Sequence, residues 1–390
     1  MSNPSVLKNS TVKKETINKK NVVTIAGAFI AFLIGSGFAT GQEVLQYFTS
    51  YGYMGILGAG VTLFLLLYVG VSFITVGQAH KFEKGSDIFK YYCGEKLGTF
   101  FDYFSVLFIY LSFTVMIAGA GATFNQHFGL PVYIGGILMA VLATSTVLFG
   151  LSNIVDIIGK IGPVIVVISI ALGLISIFQN FDGLVRANEI LPTVELTRAS
   201  TNWFFAACSY VGFCMLWLAG FLAAIGGTSE SKKEATYGAT LGAVGFSVAV
   251  IIVALGLLSC IQDVAGSQIP SLHLAGNIHP TLALVFSFII VAGIYTTAVP
   301  LLWSVSARFT EDKSPKFRTL TVGLALVGLV VGIWLPFDKL VNVVYVINGY
   351  VGIGLLLLMF VKSARNKMQG TNDLNGSSNS GDQHDMRKNA

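Results

Sequence analysis

Ten apolar runs, each long enough to cross a lipid bilayer as a helix, follow one another between residues 22 and 361. They leave little freedom in what the chain can become. About 20 apolar residues, rising about 1.5 Å each, cover the hydrocarbon core. On that ruler the spans fall near 22–50, 54–80, 98–127, 131–150, 153–178, 202–227, 234–261, 280–308, 317–335 and 338–361. Of 390 residues, 54% are hydrophobic and only 11% charged, well below the roughly 25% charged residues of soluble domains. An all-α, multi-pass integral protein of the cell membrane is expected.

The net charge of +5 is a matter of topology. With the N-terminus inside, Lys8, Lys13, Lys14, Lys19, Lys20, Lys81, Lys84, Lys90, Lys96, Lys232, Lys233, Arg308, Lys313, Lys316, Arg318, Lys362, Arg365, Lys367, Arg387 and Lys388 all fall on the cytoplasmic side. Only Arg186, Arg198 and Lys339 fall outside, and Lys160 lies within a span. This is the asymmetry that orients membrane proteins. It requires an even number of spans with both termini cytoplasmic, and it removes any need for a nucleic-acid partner. The first 20 residues hold five lysines and no apolar stretch, which predicts a cytoplasmic tail without a cleavable signal peptide. The expected organisation is a basic tail over 1–21, five spans over 22–178, an external linker over 179–201, five more spans over 202–361, and a tail over 362–390. That tail is rich in Gly, Ser, Asn and Asp and is expected to be disordered.

Five spans is an odd number, so the second half must run through the membrane inverted relative to the first, as in many secondary transporters. Each half carries an interruption near mid-depth: Gly35-Ser36-Gly37-Phe38-Ala39-Thr40-Gly41 in span 1, and Ser209-Tyr210-Val211-Gly212-Phe213 in span 6. Glycine weakens a helix by about 1 kcal/mol, and span 1 has three in seven residues. A helix that unwinds in lipid exposes backbone N–H and C=O groups, tolerated only where they line a site. Both spans 1 and 6 are therefore expected to break at mid-membrane. Glycines at 119, 121, 242 and 245 read instead as helix-packing positions.

The string Ile34-Gly35-Ser36-Gly37-Phe38 resembles the Gly-Ser-Gly-Ile-Phe signature of the amino acid-polyamine-organocation (APC) superfamily, secondary transporters of the LeuT fold. The longer string Gly35 to Glu43 resembles the YkvI family of bacterial membrane proteins within that group. The resemblance implies a ten-helix 5+5 inverted repeat with helices 1 and 6 broken, and transport by alternating access. Ala292-Gly293-Ile294-Tyr295-Thr296-Thr297 in span 8 is similar to the segment that supplies a carbonyl and two hydroxyls to Na⁺ in sodium-coupled relatives, although a Tyr stands where one hydroxyl residue is expected. The partner carbonyls would come from Ala31 and Ile34. Lys160 resembles the span-5 lysine of cation-independent or proton-coupled relatives; alternatively it snorkels to the membrane surface.

At a break, N–H groups can receive a carboxylate and C=O groups an ammonium or Na⁺, so a zwitterion fits both. The expected function is secondary transport of an amino acid or related small amine coupled to Na⁺ or H⁺. The alternative is a non-transporting solute sensor on the same fold, as in germinant receptors. Candidate solute contacts are Gly35, Ser36, Gly37, Phe38, Gly41, Tyr110, Ser209, Tyr210, Gly212 and Phe213. Tyr110 either bonds the solute or packs among phenylalanines, and Phe38 and Phe213 either gate the site or face lipid. Candidate ion or coupling residues are Ala31, Ile34, Glu43, Lys160, Ala292, Thr296 and Thr297. Glu43 is an acid in an apolar span, where charge costs at least about 2.5 kcal/mol; it reads as a proton acceptor, a cation partner or a cap on the following half-helix. No nucleophile–base pair or metal-ligand spacing marks an enzyme, and no cofactor is implied beyond a coupling ion.

Overall fold

The computed structural model of the chain describes residues 17–149 and 155–385, with the backbone alone for 155–160, 367 and 369–385. Among the described residues nine helices are long and apolar enough to cross a membrane: Tyr53–His80, Asp87–Phe128, Val132–Phe149, Ile161–Gln179, Trp203–Thr228, Lys232–Ser259, Pro280–Phe309, Pro315–Trp334 and Phe337–Asn366. The first span is the tenth crossing. It escapes a length criterion because it is cut into Lys19–Leu33, Ser36–Thr40 and Gln42–Tyr47.

Several helix starts are written in the sequence. Asn202 accepts from the Phe204 N–H and Ser231 from that of Glu234. Ser314 accepts from Phe317 N–H with Pro315 at the first helical position. These are side-chain caps for otherwise orphaned donors. Between spans 2 and 3 a short helical stretch runs directly into the third span as Asp87–Phe128, with one non-helical residue at Gly94. The linker after span 5 folds as the short turns Phe181–Val185, Ala187–Ile190 and Leu191–Thr193. Ile261–Val264 and Pro270–Ile278 lie between spans 7 and 8.

The packing obeys the inverted repeat. Span 1 packs on span 7 as span 6 does on span 2; span 10 packs on span 3 as span 5 does on span 8; span 3 meets span 9 as span 8 meets span 4. Exchanging each span with its counterpart five along leaves these pairings unchanged, the signature of a pseudo-two-fold axis. One end of the bundle joins Asn18 and Asn21 to Glu234, Arg308 to Asp102 and Asn366 to Tyr91. The opposite end joins Tyr53 to Leu184, Gln126 to Ile269 and Asn342 to Arg198.

One expectation is corrected. Span 6 is an unbroken helix over Trp203–Thr228. The one glycine of the expected break, Gly212, is a crossing point: a Cβ on Gly212 would strike the Gly349 carbonyl, and one on Gly352 would strike the Gly212 carbonyl. Opening a helix in lipid strands several backbone groups at several kcal/mol each, which one glycine's loss of propensity cannot offset. The last helix is assigned over Phe337–Asp385, its membrane-crossing part being Phe337–Asn366.

Candidate solute site at the broken first span

The break in span 1 has two joints. At the first, Ile34 and Gly35 leave helical geometry, with Ile34 extended at φ −86°, ψ 100° and Gly35 at φ −109°, ψ −169°. At the second, Gly41 adopts φ 81°, a left-handed conformation that favours glycine. There the chain lies against the start of Pro270–Ile278, and a side chain on Gly41 would meet Ser271 and Pro270. A turn of five residues, Ser36–Thr40, is left between the joints, and all five are buried.

Glu43 follows in the next piece, 1% exposed. Its Oε1 accepts a hydrogen bond from the Tyr210 hydroxyl at 3.0 Å. Its Oε2 lies against Gly37, where a Cβ would collide with it and would come within 3.0 Å of the Tyr345 ring. Glu43 thus does not cap the half-helix that it opens, because its carboxyl reaches back across Gly37 to span 6. Around it the Tyr47 and Tyr210 rings stand 5.3 Å apart, Tyr210 and Phe213 5.0 Å, and Phe213 and Tyr345 4.8 Å. Trp217 stacks on Phe108 at 5.3 Å. Phe213 is therefore a buried member of the cluster, whereas Phe38 packs on Phe246 of span 7 at 5.4 Å.

Five polar atoms in or beside this cluster are buried and make no hydrogen bond of full geometry among the described residues: Ser36 Oγ, Tyr47 Oη, Ser209 Oγ, Trp217 Nε1 and Tyr345 Oη; the hydroxyls reach only one another, Ser209 towards Tyr47 and Ser36 towards Tyr345. Buried polar groups left unsatisfied cost about 1–3 kcal/mol each. Concentrating them at a helix break, beside a buried carboxyl, stores polar capacity that a packed core would avoid.

Cavities approach this centre from both ends. One of about 420 Å³ is lined by Gln42, Leu45, Gln46, Thr197, Asp338 and Lys339 on the side away from the termini. Another of about 160 Å³ is lined by Ala31, Ile34, Trp217, Thr296, Thr297 and Ser304 on the terminal side. The second gathers most of the predicted ion residues. Thr297 Oγ1 donates to the Ile34 carbonyl at 3.3 Å and lies 3.0 Å from that of Gly293, while Thr296 Oγ1 donates to Gly293 at 2.9 Å. Ala292 stays in the same helix one residue before. Tyr295 points elsewhere, its hydroxyl 2.7 Å from Thr146 of span 4.

Tyr110 is not at the centre: its hydroxyl donates to the Leu324 carbonyl of span 9 at 3.0 Å. Gly35 sits beneath Met116 and Trp217. The side chain of Lys160 lies outside the described residues. Tyr47, Trp217 and Tyr345 are cluster residues that the motif reading passes over. Tyr47 stands four residues after Glu43, and Trp217 four after Phe213, so helical spacing from either known member points to them. Nothing local in span 10 singles out Tyr345.

Ten crossings in mirrored halves, the first interrupted over a buried polar centre, define a membrane protein of the LeuT fold. Two solved structures share it: Mhp1 in its inward-facing conformation, with TM-score 0.55 and 15% identity over 86% of this chain and 75% of that one, and MhsT in complex with L-phenylalanine, with TM-score 0.52 and 16% identity over 87% and 88%. By sequence, the chain is similar to two proteins of Bacillus subtilis (strain 168). The membrane protein YkvI is 21% identical over 89% of this chain and 97% of its own, and YyaD is 23% identical over 84% and 93%. No protein-family model matches the chain.

Proposed function

We propose that this protein is a secondary transporter of a small solute bearing an amine, an amino acid or a related small amine, and that it works by alternating access. The observation that carries the reading is the pair of cavities facing opposite ends of the bundle, separated by a double-jointed turn and a buried centre rich in poorly satisfied polar atoms. A pore would join the two cavities. Here rings and a carboxyl stand between them, so a solute can pass only if the packing opens on one side and then on the other. The solved relatives by fold support a small-molecule cargo: one is titled as holding L-phenylalanine, another as a nucleobase-cation-symport-1 family transporter with bromovinylhydantoin bound.

Coupling is to Na⁺ or H⁺. The hydroxyls of Thr296 and Thr297 with the carbonyls of Ala31 and Ile34 are the oxygens suited to Na⁺ in an otherwise largely apolar wall, and Glu43 and Lys160 are the groups suited to a proton. The charge asymmetry of the loops supports cytoplasmic termini, which makes the 420 Å³ cavity the external vestibule.

The test is flux. Purified protein in proteoliposomes should accumulate labelled amino acids or amines saturably when a Na⁺ or H⁺ gradient is imposed, and should stop when the gradient is dissipated. Saturable binding without uptake under any gradient would replace the transporter with a sensor on the same fold.

A further inference from the structure

The buried centre around Glu43 is chemically lopsided. Span 1 contributes Ser36, Glu43 and Tyr47; span 6 contributes Ser209, Tyr210 and Phe213; span 10 contributes Tyr345. Among the described side chains that meet there, one carries a carboxyl and none is a cation. The buried hydroxyls of Ser36, Tyr47, Ser209 and Tyr345 make no hydrogen bond of full geometry; Ser209 reaches only Tyr47 and Ser36 only Tyr345, and each keeps a lone pair that can accept.

An anionic group arriving here would find no cation among these side chains and a carboxyl already in place, in a medium of low dielectric where an unbalanced charge is costly. The protein's own carboxyl, moreover, already covers the break: Glu43 Oε2 occupies the space where a side chain on residue 37 would stand. An ammonium meets the reverse. It has hydrogens for Glu43 and those hydroxyl oxygens, a counter-charge, and the faces of Tyr210, Phe213 and Tyr345, whose quadrupoles attract a cation.

We propose that this centre is an ammonium receptor: the solute is a small organic cation held by its amine at Glu43, and it needs no carboxylate of its own. The proposal rests on the central-site reading above and narrows its solute class.

The experiment is a thermal-shift titration of the purified full chain in nanodiscs, because a ligand of the folded state raises its melting temperature. Two matched sets serve as probes: 2-phenylethylamine, L-phenylalanine and 3-phenylpropanoate, and butylamine, 2-aminopentanoate and pentanoate. At least one amine should bind tenfold or more tightly than its amino acid, and neither carboxylate should bind. Glu43→Gln should weaken the amine at least tenfold. Tyr345→Phe keeps the ring and removes one acceptor, and should weaken it three- to tenfold. If Glu43→Gln does not fold, the wild-type ranking and Tyr345→Phe decide. Amino acids bound in preference to amines, an amine bound equally well by Glu43→Gln, or no amine bound by the wild type would each overturn the proposal. In the last case, a pH-dependent melting point abolished by Glu43→Gln would identify a site for a proton alone. Amine binding that depends on Glu43 without any flux would sink transport and leave the receptor standing. Amino-acid flux indifferent to Glu43→Gln would do the opposite.

Discussion

Gly37-Phe38 and Gly212-Phe213 are the same dipeptide in corresponding spans of two mirrored halves, yet one lies in a five-residue turn between two joints and the other in an uninterrupted helix of 26 residues. The difference lies in what surrounds each glycine. Gly37 has Gly35 and Gly41 as neighbours in sequence, and its open face is filled by the side chains of Glu43 and Tyr345. Gly212 stands alone in its segment, and its open face is filled by the backbone of Gly349 and Gly352. A glycine among glycines lets a membrane helix come apart, while a glycine facing another helix's backbone holds two helices together.

That contrast can be broken by experiment. The largest effect is expected at Gly212→Leu, where the obstacle is main chain that cannot turn aside. It should lose about 3 kcal/mol or more of stability, read as collapse of folded yield and melting temperature, and a well-folded variant would show the crossing is loose. Gly37→Leu should insert and fold, because its obstacles are side-chain ends, but lose at least about 100-fold in solute affinity, about 2.7 kcal/mol. Normal binding there would mean that the first break does not line the site. Next in size is Thr297→Val, which removes the hydroxyl bridging span 8 to Ile34. A cost of about 1 kcal/mol in stability is expected, together with a roughly tenfold rise in the Na⁺ concentration for half-maximal uptake; an unchanged Na⁺ response would free this wall from coupling. Lys160→Ala should shift the pH profile of uptake if that lysine exchanges protons, and an unshifted profile returns it to the membrane surface. The smallest change is expected for Tyr110→Phe, about 1 kcal/mol in stability with no change in solute affinity.

Much of this architecture is legible in the sequence because lipid enforces it. Apolar length gives the spans, loop charge pairs them, and an odd count per half inverts them. The first break is legible because three glycines crowd into seven residues. The false break in span 6 arises because a lone glycine reads the same whether it unwinds a helix or packs one. What distinguishes the two is Gly349 and Gly352, on a helix at the far end of the chain. The second joint at Gly41 needs Ser271 and Pro270 against it, again a distant partner. Glu43 is conspicuous as an acid in an apolar span. The direction of its carboxyl, back over Gly37 to Tyr210, depends on how spans 1 and 6 cross. Tyr110 stays open between solute and packing in the sequence for the same reason: a tyrosine on span 3 can face the centre or span 9, and rotation about the helix axis, which sends its hydroxyl to Leu324, is a tertiary fact.

The Gly212–Gly349–Gly352 crossing also determines how one side of the centre is held. With main chain lying directly on main chain at this point, spans 6 and 10 have no side chains there to slip or repack. Tyr210, Phe213 and Tyr345 are carried by that joined pair. Facing them is the little turn from Ser36 to Thr40, set between two non-helical joints, so the two sides of the centre are held by opposite means, one by backbone contact and the other by a turn linked to its helix only through non-helical residues.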